Sequence, residues 1–183
     1  MSQQSKPQYQ STLDALDLLQ ADHNRVKFLF SEFDSLRGMD DEDERKARLV
    51  DEICYELTVH SMIEEELVYP RARAVIDNDE LMDEADIEHS GALELVSQLE
   101  VMYPGDDHYE ATVSVLAEEI AHHIEKEEDE MFPAMRASGI DLVELAADIR
   151  ARKDELDEDI SAPPPADRMA PHDGVRHPPR APN

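Results

Sequence analysis

Histidines occupy positions on four apolar helical stripes where a helix bundle would normally bury hydrophobic side chains. Two of these histidines are followed four residues later by glutamate, and residues four apart share one face of a helix. An imidazole and a carboxylate of such a pair can therefore point at the same place. Burying a carboxylate without a partner is costly, and a bound cation removes that cost. The pattern predicts a metal site with six ligands: His23, His60, Glu64, His89, His123 and Glu127.

An internal repeat relates the two halves of this pattern. The segment that starts at His60 aligns without gaps on the segment that starts at His123, an offset of 63 residues, and both segments end in an aromatic residue followed by proline. The surroundings of His23 and His89 repeat at an offset of 66 residues. Two helix pairs related by an approximate two-fold axis would bring two equivalent half-sites together. We expect His23 and His60 to hold one ion, His89 and His123 the other, and both glutamates to be shared.

The donor types narrow the choice of metal. Imidazole with carboxylate suits iron, zinc or copper, and a carboxylate-rich site shifts the preference toward iron or manganese. Six ligands are too many for one tetrahedral zinc ion. They fit two ions of higher coordination, with positions left for a small exogenous ligand. This layout is typical of dinuclear carboxylate bundles.

Other residues are candidates for a supporting role. Glu56 and Glu119 each precede a predicted ligand histidine by four residues, and they are related by the same 63-residue offset. They are interpreted either as acceptors for the imidazole N–H, or as spare ligands, or as glutamates of a solvated helix face. Glu65 and Glu128 are weaker candidates for the same roles, and Tyr55 is a further possible ligand.

The elements that position these residues are predicted to be helices. Glycine is scarce, strand-like alternation is absent, and helix-ending residues divide the chain into four long helical stretches. The fold class is therefore expected to be all-α, an up-down-up-down four-helix bundle followed by a short fifth helix from about Ile140. The breaks between helices are predicted at Arg37–Gly38, Asp77–Asp79, Pro104–Asp107 and Ser138–Gly139.

Composition sets the domain boundaries and limits the partners. Seven of the eleven prolines follow residue 160, so residues 1–11 and 160–183 are expected to be disordered, with the bundle at residues 12–159. The formal net charge of −28 would repel phosphate backbones, so no nucleic-acid partner is expected. The lone Cys54 excludes an intramolecular disulfide and suits a reducing compartment. Since no apolar run is long enough to span a membrane, no membrane partner and a cytoplasmic location are expected.

The histidine pattern, with the segments His60–Pro70 and His122–Pro133, resembles the hemerythrin-like family, also called HHE cation-binding domains. The resemblance covers roughly residues 16 to 133. It implies a non-haem di-iron centre, expected to be oxo- or hydroxo-bridged, with zinc or manganese as alternatives. The family's oxygen carriers have a second histidine one turn after the one on the third helix, where this sequence has Leu93. That difference leaves a coordination position for water, a carboxylate or a tyrosine. The fourth-helix carboxylate is Glu127, where the oxygen carriers have an aspartate at a different spacing, so the resemblance is to the bacterial and regulatory branch.

Several functions are compatible with this resemblance. The leading hypothesis is a di-iron protein that binds O2 or a related small ligand, such as NO or peroxide, or that senses or stores iron. An alternative is a di-iron enzyme that consumes peroxide, because the position at Leu93 leaves the iron less saturated. A second alternative is a metal-free interaction module that acts through its tail. The sequence identifies no protein partner.

Overall fold

The computed structural model describes residues 13–160. The predictions of disorder at residues 1–11 and 161–183 lie outside this described part of the chain, whereas Ile160, also predicted to be disordered, ends the last helix. All regular structure within it is helical, which confirms the all-α prediction. The elements are α1 (Ala15–Ser35), a 3-10 turn (Asp40–Glu42), α2 (Asp43–Ile63), π1 (Glu64–Val68), α3 (Tyr69–Arg73), α4 (Asp79–Leu99), α5 (Tyr109–Lys126), π2 (Glu127–Met131), α6 (Phe132–Ser138) and α7 (Leu142–Ile160).

The bundle is built from two helical pairs, α1 with α2 and α4 with α5. The side chain of Asp14 caps α1 by accepting hydrogen bonds from the N–H groups of Leu16 and Asp17. The side chain of Asn78 caps α4 in the same way, through the N–H of Leu81. These caps set where α1 and α4 begin.

The second and fourth helices of the bundle each contain one π turn. In π1 the N–H of Tyr69 bonds to the carbonyl of Glu64, and in π2 the N–H of Phe132 bonds to the carbonyl of Glu127. One aromatic residue separates each turn from a proline, Pro70 or Pro133. Inside a regular helix, proline removes one hydrogen bond and clashes with the preceding turn. The π turns change the hydrogen-bond register just before the prolines, so α2, π1 and α3 continue as one helical rod, as do α5, π2 and α6.

The core consists of two hydrophobic clusters with a polar layer between them. One cluster includes Leu19, Ile63 and Met82, and the other includes Val26 and Leu57. The four histidine positions fall between residues of the first cluster and residues of the second along each helix. The polar layer is thereby enclosed on both sides by apolar side chains.

Helix α7 differs from the short fifth helix expected from the sequence, because it spans 19 residues against 21 in α1. Its N-terminus is capped by Asp141, which accepts hydrogen bonds from the N–H groups of residues 143 and 144. Leu145, Ile149 and Leu156 are buried in the cluster that contains Leu19. These apolar residues are few and stand among charged residues. The apolar periodicity of the sequence therefore predicted a shorter helix than the structure has. No helix in the described range is both long and apolar enough to cross a membrane.

Candidate metal centre

The structure brings the six predicted ligands together in the polar layer. Donor atoms of His23, His60, Glu64 and Glu127 lie within 4.8 Å of one another, and so do those of Glu64, His89 and His123. All six side chains are buried, and Glu64 is completely inaccessible. The first group takes residues from α1 and α2 and from both π turns. The second takes residues from α4 and α5, and Glu64 belongs to both groups.

Each glutamate faces one histidine from each group. The Glu64 Oε2 atom lies 3.1 Å from the Nε2 atoms of both His60 and His89. The Glu127 Oε2 atom lies 3.2 Å from His23 Nε2 and 3.5 Å from His123 Nε2. The two carboxylates therefore occupy the shared positions between the two pairs of imidazoles.

Several buried donor atoms at this centre have no hydrogen-bond partner within the described chain. They include Nε2 of His23 and of His60, Oε1 of Glu64 and Oε2 of Glu127. A buried polar atom without a partner costs free energy comparable to a lost hydrogen bond. In addition, the Nε2 atoms of His89 and His123 approach each other to 3.1 Å. A cation among these atoms would give the unpartnered atoms a contact, and it would account for two imidazole nitrogens that lie so close together. The residues present therefore fit a metal.

The carboxylates also control the protonation of neighbouring histidines. Burial lowers the pKa of His60, but Glu64 and Asp22 outweigh burial and raise it to about 10. Burial also opposes ionisation of Glu64, yet His60 and His89 hold the pKa of this carboxyl well below its usual range. The carboxylates thus hold His60 in its charged form and raise the pKa of His89 as well. A metal ion bound at these atoms would replace protons on the histidines.

At each of the four histidines of the centre, a further carboxylate faces Nδ1, the ring nitrogen that points away from the centre. Such contacts orient the ring and set its tautomer, which directs the other nitrogen toward the centre. The distances from Nδ1 to the nearest carboxylate oxygen are 2.9 Å for His23 and Glu128, 3.6 Å for His60 and Asp22, 3.5 Å for His89 and Glu65, and 3.0 Å for His123 and Glu88.

Three of the candidate supporting residues have their described contacts away from the histidines, which for Glu56 and Glu119 favours the third interpretation, glutamates of a helix face. Glu56 lies 3.7 Å from the Arg25 guanidinium, Glu119 lies beside Gly91, and the Tyr55 hydroxyl donates to Asp157. Side chains on a helix lean toward its N-terminus, so a glutamate four residues before a histidine leans away from it. The residues that immediately follow Glu64 and Glu127 take the supporting positions instead.

Tyr69 is the residue of the centre that sequence reasoning missed. Its buried hydroxyl donates to Glu127 Oε1 at 2.9 Å, and it lies 2.9 Å from His89 Nε2 and 3.3 Å from Glu64 Oε2. Burial, with Glu64 and Glu127 nearby, raises the pKa of Tyr69, so the phenol keeps its proton. The sequence feature that could have identified Tyr69 is the aromatic residue that precedes proline in both repeats.

The aromatic pair also breaks the internal symmetry. Phe132, the counterpart of Tyr69 in the repeat, stacks on His23 with ring centroids 5.6 Å apart and carries no hydroxyl. Tyr69 packs against His89 at 5.1 Å. Leu93 is half-buried, and within the described chain it does not line the cavity at the histidines. The phenol oxygen therefore stands beside the second group, while Phe132 offers no oxygen at the first.

A small cavity adjoins the four histidines. Its volume is about 10 Å³, room for roughly one water molecule. Its remaining lining is mostly aliphatic and comes from α1, α2 and α5. A ligand that reached the centre here would have to be very small. The lining residues besides the histidines are Asp22, Val26, Leu57, Ser61, Ile120 and Ile124.

The comparisons with known proteins agree with this fold and with a cation-binding domain. Residues 14–135 match the family described as the hemerythrin HHE cation binding domain. The chain belongs to this family, as its histidine pattern predicted. A crystal structure of a hemerythrin HHE cation binding domain-containing protein from Mycobacterium kansasii superposes with a TM-score of 0.67. That structure is 24% identical, with 81% of this chain and 90% of that chain covered, and it supports the shared fold.

A curated relative corrects the expectation about nucleic acid. A protein named DNA nickase, from Nostoc sp. (strain PCC 7120 / SAG 25.82 / UTEX 2576), is 28% identical over 147 residues. The match covers 78% of this chain and 40% of the relative, so this chain corresponds to less than half of that protein's length. The prediction of no nucleic-acid partner is wrong, since a similar domain occurs in a protein with that name. Net charge sums the whole chain and does not describe the local surface that a partner meets.

Proposed function

We propose that this chain binds two metal ions, iron by preference, and presents them to a small ligand. The observation that carries the proposal is the pair of buried donor groups that share Glu64. His23, His60, Glu64 and Glu127 would hold one ion. His89, His123 and the two shared glutamates would hold the other.

The donor chemistry supports iron. The ligands are imidazole nitrogens and carboxylate oxygens, with the phenol oxygen of Tyr69 beside them and no thiolate in contact. Hard oxygen donors mixed with imidazole favour iron or manganese over copper and over tetrahedral zinc. The described residues thus offer more oxygen donors than a structural zinc site uses.

The ligand is proposed to be O2, NO or peroxide, because the cavity at the histidines has room for about one water molecule. When bound, the metal pair would supply exchangeable coordination positions and electrons for such a molecule. The protein's own contribution is to exclude bulk water and to hold a proton. Val26, Leu57 and Ile120 exclude water from the cavity. Tyr69 holds a proton against Glu127 at 2.9 Å.

A second candidate, peroxide consumption, is favoured by Tyr69. Its hydroxyl keeps its proton and donates to Glu127 Oε1 at 2.9 Å, beside the shared carboxylates. Peroxide consumption breaks the O–O bond and the separated oxygen atoms take up protons, whereas oxygen carriage returns O2 unchanged. A buried proton donor at this place therefore suits the centre to peroxide consumption better than to oxygen carriage.

The proposal is tested by loading the purified protein with ferrous iron under anaerobic conditions and measuring metal per chain. We expect close to two iron ions. One ion or fewer would overturn the dinuclear assignment, and a preference for zinc at equal concentrations would overturn the iron assignment alone. Mixing the loaded protein with O2, NO and peroxide in a stopped-flow spectrometer then separates the two functions. Rapid peroxide loss without a lasting oxygenated species supports the second candidate.

A further inference from the structure

Helix α7 lies beyond the segment that matches the family, yet it reaches the metal centre through one side chain. The Lys153 Nζ atom lies 2.6 and 2.5 Å from the two carboxylate oxygens of Asp22. Asp22 in turn faces His60 Nδ1 at 3.6 Å, while His60 Nε2 points at Glu64. The chain of contacts thus runs from α7 to a shared carboxylate of the centre.

Of the four described histidines at the centre, His60 is the one with no hydrogen-bond partner at either ring nitrogen. His89 also has no partner at Nδ1, but its Nε2 is hydrogen-bonded to Tyr69. The contact between His60 Nδ1 and Asp22 is longer than a hydrogen bond. For His23 and His123, the carboxylate at Nδ1 approaches to 2.9 and 3.0 Å. The orientation of the His60 ring therefore rests on where the Asp22 carboxylate is held.

The equivalent carboxylates are held differently. Glu88, which faces His123, is bound by Lys126 at 2.6 Å, and Lys126 belongs to α5 of the bundle itself. Glu128 lies 3.4 Å from Lys27 of α1. Glu65, which faces His89, is half-exposed, and among the described residues no lysine or arginine forms an ion pair with it. Asp22 is the one carboxylate of the four that a helix outside the bundle positions.

We propose that Lys153 is a positioning residue that fixes Asp22 against His60, so that α7 sets the metal affinity of the His23–His60 position. This inference rests on the proposed two-metal function. The Lys153 ammonium contacts both Asp22 oxygens and holds the carboxylate toward the core. Without it, the carboxylate turns to solvent and the His60 ring loses its orientation. Removing such a supporting contact typically weakens metal binding about 10–100-fold.

The test measures both stepwise affinities for ferrous iron, by anaerobic competition with a chromophoric chelator. Lys153→Met keeps the aliphatic stem and removes the charge. We expect it to weaken one of the two binding steps about 10–100-fold and to leave the other unchanged. Lys153→Arg restores the charge and should recover most of the affinity. The control is Arg152→Met, which removes the α7 ion pair with Glu66 and should change neither step.

A double mutant shows whether Lys153 acts through Asp22. Asp22→Asn alone should weaken the same step, and adding Lys153→Met to it should cause no further loss. Melting curves of the metal-free proteins check that each variant folds. If Lys153→Met binds both ions as the wild type does, or if the two losses simply add, the inference is wrong while the metal site stands. A wild-type protein that binds no iron contradicts the proposed function itself, and the inference with it.

Discussion

Replacing Glu64 by glutamine is the most direct perturbation of the centre. The amide has nearly the same shape but is a poor ligand and a poorer bridge. Since Glu64 lies 3.1 Å from one histidine of each donor group, Glu64→Gln should weaken both ions. If each ion normally sits at a free concentration of about 100 times its Kd, it stabilises the fold by about 2.7 kcal/mol. A 100-fold weaker site leaves about 0.4 kcal/mol per ion.

These free energies convert into melting temperatures. For a domain of this size, 1 kcal/mol corresponds to about 2–4 °C. Chelation should therefore lower the Tm of the wild type by roughly 5–11 °C for each ion, and that of Glu64→Gln by roughly 1–2 °C. The assay is calorimetry of each protein with and without metal, alongside metal analysis. Comparing the two forms of one variant cancels effects of the mutation on the metal-free fold.

The matched control is Glu56→Gln, on the same rod two turns earlier. Glu56 contacts Arg25 and, in the described structure, is not one of the carboxylates that contact the histidines. Its substitution should leave the metal content and the chelation shift unchanged. Two ions bound by Glu64→Gln with the wild-type shift would refute the reasoning, and so would equal losses in both variants.

Three further predictions follow from the same geometry. Tyr69→Phe should keep two ions and the fold, since only the buried hydroxyl is lost, but should slow peroxide consumption at least 10-fold; an unchanged rate in stopped flow would exclude a role for the phenol. In the metal-free protein the raised pKa of His60 means that its stabilising charge is complete below about pH 6.5 and is lost as the pH rises toward about 10. Metal needs the neutral ring, so the Tm gap between loaded and metal-free protein should widen from about pH 6 to about pH 9, and a constant gap would contradict this linkage. Leu93→His should leave the metal content and the spectrum as they are, because Leu93 is not among the described residues that line the cavity; a new ligand signature would show that the position reaches the metal.

The fold and the convergence of the six residues were predictable from the sequence because both depend on periodicity. Four apolar stripes specify four helices, and one polar layer at matching steps of those stripes must meet when the helices pack. The repeat of 63 residues further predicted that Glu64 and Glu127 would stand in equivalent places. Such regularities survive small errors in the helix boundaries.

The supporting residues were not predictable in the same way. Spacing alone favoured Glu56 and Glu119, because a residue four positions before a histidine and one four positions after it share the same helix face. Spacing does not show that side chains lean toward the N-terminus of the helix. The π turns at Glu64 and Glu127 add one residue to a turn, which rotates Glu65, Glu128 and Tyr69 relative to a regular helix. A pattern that assumes 3.6 residues per turn misplaces these side chains.

The departures from two-fold symmetry carry the functional meaning. Equivalent half-sites would give two metals with the same surroundings, which suits storage or simple structural binding. Here a hydroxyl stands beside His89 where its counterpart Phe132 has none, and α7 holds only the carboxylate at His60. One metal position thus has a proton donor and the other has an external support. Chemistry that delivers a proton to one end of a small molecule uses such a difference, so the asymmetry supports the proposed reactive centre over a storage site.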